Sequence, residues 1–294
     1  MLSLHTNFAS LSAQNSLGRT QSALSTSQTR LSTGFRINSA ADDAAGLQIA
    51  TRLKAQTSGM AMAMRNTQNA TSMLQTGEGA FDDVTSMLVR MKDLATEAAD
   101  ASSSSADQTA MQAEFDALAN QMTQIMANTS FGGMNLLSLG TTAGALTTAL
   151  TFQIGASGAE TFTLNLSASF SSLKAALGSS SSNFSAAGSA VTVAGSELLS
   201  QTSANGIIST LDKAINAVGT VRSALGAAAN RLDHVYKNLQ NMSTNTEQST
   251  SRIMDVDYAT ETANQTRQSM LAQAGTAMLK QSSQMSQMVL SLLQ

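Results

Sequence analysis

The chain has 294 residues, a formal net charge of −3 and 12% charged residues, against about 25% in ordinary globular domains. The absence of cysteine excludes a disulfide framework, a thiolate nucleophile and a cysteine-based zinc site, and the absence of proline leaves no helix with a built-in kink. No basic run suited to nucleic acid or anionic lipid is present, no apolar run approaches the ~20 residues of a membrane span, and Met1-Leu2-Ser3-Leu4-His5 resembles no cleaved signal. Serine, threonine, asparagine, glutamine and alanine stand where charges would be, so much surface can be desolvated without stranding an ion, which points to assembly.

The first helical arm is expected from about Leu4 to Leu31, with Leu4, Phe8 and Leu11 on one stripe, Leu17, Leu24 and Leu31 on another, and a slip of register between them. Gly34 closes it, and Phe35-Arg36-Ile37-Asn38 has no helical period. Ser39 with Asp42 resembles a capping box that places Asp42 and Asp43 in the first turn of the next helix. A paired-acid metal or acid–base site is the competing reading of the two aspartates.

The second helix is expected from about Ala41 to Ala99, weakened at Ser58-Gly59 and Gly77-Glu78-Gly79, with Phe81, Val84, Leu88, Met91, Ala95 and Ala98 as its core stripe. Ser102 to Ser105 with Asp107 can cap a third helix, whose core positions are Met111, Phe115, Leu118, Met122 and Ile125. From Thr141 to about Gln201 the texture changes. Thr148 to Ile154 and Thr161 to Ser167 alternate around Ser157-Gly158, which predicts a β-hairpin with Phe162, Leu164 and Leu166 on its inner face. Ser179 to Ser182 is polar, Val191-Thr192-Val193 reads as a short third strand, and this tract is expected to be the outermost and loosest.

Helix returns at about Ile207 with two apolar runs, Ile208 to Val218 and Val221 to Met242. Asp255 and Asp257 open the last helix, where Leu271, Ala274, Met278, Gln281, Met285, Met288 and Leu292 step by three and four residues, the spacing of a coiled-coil seam. After Arg267 its only charge is Lys280. Two nearly uncharged arms at opposite ends predict partners for one another and for other copies, and a chain folded back on itself puts the two helix breaks at the same height. The expected fold is mainly α: an elongated antiparallel helical rod with terminal coiled-coil arms and a small β-hairpin region. Its expected parts are an inner polymerisation domain of residues 1–43 with 254–294, a helical domain with the hairpin of 44–169 with 205–253, and a short variable outer segment of 170–204.

These residues carry a resemblance. Leu31-Ser32-Thr33-Gly34-Phe35-Arg36-Ile37-Asn38-Ser39-Ala40, Asp42-Asp43-Ala44-Ala45-Gly46, Arg90-Met91-Lys92-Asp93-Leu94-Ala95, Phe131-Gly132-Gly133-Met134-Asn135-Leu136-Leu137 and Phe152-Gln153-Ile154-Gly155-Ala156 stand in the order found in bacterial flagellins. So do Arg222-Ser223-Ala224-Leu225-Gly226-Ala227, Asn230-Arg231-Leu232, Ser251-Arg252-Ile253, Asp257-Tyr258-Ala259-Thr260-Glu261 and Val289-Leu290-Ser291-Leu292-Leu293. The chain resembles that family over nearly its whole length, with a minimal hypervariable region and with Ser286 where the family usually has proline.

The resemblance implies a secreted, extracellular subunit that polymerises into the flagellar filament for motility and is exported through the hollow flagellum without a cleaved signal. It implies polymerisation arms carrying Leu4, Phe8, Leu11, Leu24, Leu31, Leu271, Met278, Met285, Met288 and Leu292. It also implies contacts with an export chaperone and with filament cap and hook-associated proteins. Leu88, Arg90, Leu94 and Glu114 fall at positions by which similar flagellins engage a host Toll-like receptor. Val289, Leu290, Leu292 and Leu293 resemble the terminal motif read by cytosolic immune receptors. No convergent catalytic set is found, and no metal or cofactor site is expected: His5 and His234 are far apart and no His-Glu-x-x-His pattern occurs. The 17 methionines are read chiefly as core packing. The alternatives are a hook–filament junction protein and, from another class, a secreted helical effector or translocator.

Overall fold

The computed structural model describes residues 7–140, 143–185, 188–189, 191 and 194–292, with side chains described as far as Met285. Among the described residues there are six helices: α1 (Phe8–Thr33), α2 (Ala44–Ala98), α3 (Ser105–Asn128), α4 (Ser167–Ser180), α5 (Gln201–Met254) and α6 (Tyr258–Leu292). Two antiparallel strand pairs join them, β1 (Ser130–Phe131) with β2 (Met134–Asn135) and β3 (Ala149–Gln153) with β4 (Thr161–Asn165). The fold is mainly α. It divides into a terminal unit, Met1–Thr57 with Thr244–Gln294, and a central unit, Ser58–Ser243.

The central unit holds the large core. Phe81, Val84, Leu88, Met91, Ala95 and Ala98 are all buried on one face of α2, as their spacing dictates. Met111, Phe115 and Met122 meet them from α3, and Leu211, Val218, Val221, Leu225 and Leu232 from α5. α2 runs unbroken through Gly59 and Gly77, where neighbours pack too closely for a side chain. A Cβ on Gly59 would lie 2.8 Å from the Cβ of Ala156, and one on Gly77 would lie 2.8 Å from Leu146 Cδ1. Ser104 and Asp107 form the expected capping box at the start of α3.

The hairpin pairs Phe152 with Phe162 and buries Phe162, Leu164 and Leu166. The two rings stack at 6.2 Å between centroids, and the Arg231 guanidinium of α5 lies 4.7 Å above Phe162. After the hairpin, the tract 170–204 departs from its expected looseness. Phe170, Leu173 and Leu177 of α4 and Leu198 beyond it are buried in the same core, and α5 begins at Gln201 rather than Ile207, where the Ser203 N–H donates to Ser200 Oγ at 3.2 Å.

Between α4 and α5 the chain is strapped along α3 by side chains one and two turns apart. The Ser185 N–H donates to Thr123 Oγ1 (3.1 Å), that of Val191 to Asn120 Oδ1 (3.0 Å), that of Gly195 to Asp116 Oδ2 (2.9 Å) and that of Leu198 to Gln112 Oε1 (2.6 Å). Asn120 also donates back to the Val191 carbonyl. Of the expected third strand, Val191 lies in this strap, while Thr192 and Val193 fall outside the described residues. Polar side chains at positions 112, 116, 120 and 123 thus satisfy backbone groups that a strand would otherwise pair.

Glu197 closes the strap by accepting from the Ser182 N–H and hydroxyl, both at 2.6 Å, and from Gln112 Nε2 at 2.9 Å. Burial works to raise its carboxyl, but the hydrogen bonds from Ser182 and Gln112 outweigh that and hold it below the ordinary range. A folded pKa below the unfolded one stabilises the strap above the unfolded value, and that contribution is lost as pH falls through the folded value. Protection factors of the Ser182, Ser185, Val191, Gly195 and Leu198 amides are therefore expected to drop below about pH 4. In Glu197→Gln they are expected to be lower at neutral pH and nearly flat across that window. Equal protection in both chains at both pH values would remove Glu197 from this role.

Candidate functional site

The functional surface is built from the terminal unit. Asn7 caps α1, its Oδ1 accepting from the Ser10 N–H at 3.1 Å, while its Nδ2 donates to the Ser282 carbonyl of α6 at 3.1 Å. Midway, a Cβ on Gly275 would stand 3.3 Å from Leu17 Cδ1. At the far end Arg30 faces Glu261 across 3.9 Å, with the Glu261 side chain 9% exposed. These three contacts define one antiparallel register for α1 against α6.

The inward faces follow a heptad spacing that is only weakly apolar. On α1 the covered or half-covered positions include Ser10, Ala13, Leu17, Thr20, Leu24, Ser27 and Leu31; on α6 they include Glu261, Gln265, Gln268, Ala272, Gly275, Leu279 and Ser282. Small residues at Ala272 and Gly275 let the two backbones approach. Leu24 and Leu31 therefore sit where an arm-to-arm seam needs them. The expected slip on α1 is resolved, because Phe8 and Leu11 belong to a separate outward face.

On α6 the seam read from the sequence is displaced by one residue. Leu271, Ala274, Met278 and Gln281 each precede an inward position, and these four with Met285 are all exposed, Leu271 by 50% and Met278 by 66%. One residue is about 100° of helix rotation, so the bulkiest apolar stripe points away from α1. Sequence reasoning missed the inward stripe because alanine, glycine, serine and glutamine give little hydrophobic signal; their sevenfold recurrence was the available clue. Leu4 and Leu293 lie outside the described residues, as do the side chains of Met288, Val289, Leu290 and Leu292.

The helix breaks lock together at the base of this pair. Gly34 ends α1 with φ 76°, its N–H reaching the Arg30 carbonyl, and a Cβ there would meet the Tyr258 hydroxyl at 3.0 Å. Phe35 bridges Asp255, the Arg36 N–H donates to the Met254 carbonyl at 2.6 Å, and the Val256 N–H donates to the Gly34 carbonyl at 3.0 Å. The capping expected of Ser39 belongs instead to Asp43, whose Oδ1 accepts from the Gly46 N–H at 2.8 Å. Asp42 lies in the preceding turn, where the Ser39 and Asn38 N–H groups hold its carboxyl below the ordinary range. Both aspartates are thus used by backbone donors. Asp257 caps α6, accepting from the Ala259 N–H and the Thr260 hydroxyl.

In the central unit, Arg90 and Glu114 form an exposed ion pair at 2.7 Å between α2 and α3. Leu88 and Leu94, grouped with them by resemblance, are 0% and 2% exposed. The structure separates that set into two surface residues and two core residues, because positions 88, 91, 94 and 95 all turn into the core. Among the described residues no helix is long and apolar enough to cross a membrane.

Comparison with known proteins agrees with this layout. Residues 4–142 match the model of the bacterial flagellin N-terminal helical region, and residues 208–293 that of the C-terminal helical region. A flagellin of Halalkalibacterium halodurans is 36% identical over 98% of this chain and 98% of its own length. Flagellin D of Vibrio anguillarum is 32% identical over 99% of each chain. A chain described as a flagellar hook-associated protein of Vibrio parahaemolyticus shares the fold, with a TM-score of 0.56 over 73% of this chain and all of its own, at 16% identity. That likeness extends to the fold alone and does not favour a hook–filament junction role, whereas the full-length relatives are flagellins. The chain belongs to the bacterial flagellin family, whose members are the structural subunits of the flagellar filament.

Proposed function

We propose that this chain enters the filament by covering the outward faces of α1 and α6 with other copies of itself. The observation that carries the reading is the exposed stripe Leu271, Met278 and Met285 on a helix whose only charge after Arg267 is Lys280. An apolar stripe without a charged rim is poorly suited to remain in water. Phe8, 71% exposed, and Leu11 supply the matching face on α1. A contact between different faces of identical subunits, where its rotation does not close a ring, propagates as a helix. The test is growth of filament seeds by the Leu271→Asp chain: loss of growth with the central unit still folded supports the reading, and unchanged growth overturns it.

The same faces need cover before assembly, which suits an export chaperone on the C-terminal arm and delivery through the hollow flagellum to a filament cap, beyond a base of hook-associated proteins. A second reading rests on Arg90 and Glu114. Their exposed ion pair offers a charged recognition surface to a host Toll-like receptor, with Val89, 46% exposed, as its apolar neighbour. Leu88 and Leu94 then act by supporting α2 from below. Arg90→Ala is expected to lower receptor signalling in a reporter cell at least several-fold; full signalling would remove this reading.

A further inference from the structure

We propose that the outward methionines of α6, Met270, Met278 and Met285, form an oxidant-sensitive modification site that decides whether an unassembled subunit can join the filament. The proposal rests on the reading of this face as one covered by other copies. Met60, Met91 and Met122 in the central unit are at most 1% exposed, whereas Met270, Met278 and Met285 are 59%, 66% and 54% exposed; Met62, Met134 and Met242 of the central unit are exposed too, at 48%, 52% and 38%, but lie off the arms. An oxidant in solution therefore meets the sulfurs of the arm and not those of the core.

The co-reactant is a peroxide. A lone pair of the thioether sulfur attacks one oxygen of hydrogen peroxide, the S–O bond forms as the O–O bond breaks, and a proton shift to the departing hydroxide yields the sulfoxide and one water. Sulfur is oxidised by two electrons and the peroxide is reduced by two. The product replaces a flexible apolar side chain with a polar, chiral one. On this face Leu271 and Ala274 line the same stripe, so covering it against another copy desolvates a polar S=O group where an apolar side chain had packed. Once a subunit is in the filament its sulfurs are covered, so oxidation acts on subunits before assembly and spares those already placed. Methionine sulfoxide reductases reverse the modification.

The experiment treats the folded full-length chain with hydrogen peroxide, maps sulfoxides by peptide mass spectrometry, and measures elongation of filament seeds before and after treatment. Met270, Met278 and Met285 are expected to oxidise at least tenfold faster than Met91 and Met122, with elongation falling at least tenfold. A chain with Met270, Met278, Met285 and Met288→Leu is expected to keep its own untreated rate after peroxide, whatever that rate is. A chain with Met62 and Met134→Leu, which removes two exposed methionines of the central unit, is expected to lose elongation as wild type does. Oxidised wild type that elongates at the untreated rate overturns the proposal, as does equal loss in the four-leucine chain. If that chain does not elongate at all, reductase treatment of oxidised wild type decides: recovered elongation supports the site and no recovery overturns it. Leu271→Asp separates the two readings. Normal growth of that variant means the face is not covered; blocked growth alongside normal growth of oxidised protein means that only the oxidation proposal fails.

Discussion

Phe81→Ala is expected to destabilise the central unit by about 3–5 kcal/mol, the range for emptying a fully buried phenylalanine site. Phe81 is 0% exposed and packs its ring against Phe170 of α4, with centroids 5.8 Å apart and planes tilted by 53°. Around it lie helices α2 and α5 tied by ion pairs Arg222–Asp82 at 3.0 Å and Lys92–Asp212 at 2.7 Å. Those pairs are surface features worth ~1 kcal/mol or less, so they hold the neighbouring helices too weakly to offset the cavity. Urea unfolding followed by far-UV circular dichroism checks the figure through a lower midpoint at unchanged slope. The Phe170→Ala chain gives the sharper outcome. If α4 belongs to the core it loses a comparable amount, and the double mutant falls short of additivity by about 0.5–1.5 kcal/mol, the part due to the ring pair. A loss below about 0.5 kcal/mol, as for an ordinary surface change, would place α4 outside the cooperative core.

The role of α4 was hard to read because of composition rather than spacing. Phe170, Leu173 and Leu177 stand three and four residues apart, but serine, alanine and one lysine fill the positions between them and the helix is barely four turns long. Where the apolar stripe is long, as from Phe81 to Ala98, every position that periodicity named is buried, and the buried Met87 and Leu94 lie beside that stripe. Caps were legible for the same local reason: Ser104, Gly34 and Asp257 act within three or four residues of themselves. The strap was not, because it is held by side chain to backbone bonds from Gln112, Asp116, Asn120 and Thr123 to residues at least 62 positions away, and such bonds impose no pattern on the strapped segment.

The arms show a different limit. In a chain that folds alone, the strongest apolar stripe of a helix marks its own core. On α6 that stripe is Leu271, Met278 and Met285, and it is exposed, while the intrachain seam is made of Ala272, Gly275, Leu279 and Ser282. Hydrophobic period locates burial without saying against which molecule. The family was legible because its motifs concentrate at positions with local demands, such as Gly34 at positive φ and Asp42 and Asp43 beneath backbone donors. Resemblance carried Leu88 and Leu94 into a surface set because it transfers positions without their exposure.

Leu271→Asp is expected to raise the critical concentration for filament growth by about a hundredfold or more. In the subunit Leu271 is half exposed, so the substitution should alter folding of the terminal unit by no more than about 0.5 kcal/mol. In the filament the carboxylate would be covered, and Arg267, four residues earlier on the same helix, could recover only about 0.5 kcal/mol of its cost at the strength of a helical i,i+4 pair. The effective penalty for an unpaired buried charge is several kcal/mol, and ~3 kcal/mol alone corresponds to roughly 150-fold in the equilibrium for adding a subunit, at about 1.4 kcal/mol per tenfold. Two controls separate causes. Leu271→Asn has a similar shape without the charge, so it should retain the smaller part of the loss, attributable to apolar area and a buried amide. Added salt should not restore growth, because a covered charge is screened far less than a rim charge. Sedimentation of seeded samples across a concentration series reads the critical concentration directly, and circular dichroism confirms the helical content of the soluble fraction. Growth of Leu271→Asp at the wild-type critical concentration would show that this face stays in solvent in the filament, and the contacts between subunits would then have to be sought on other faces of α1 and α6.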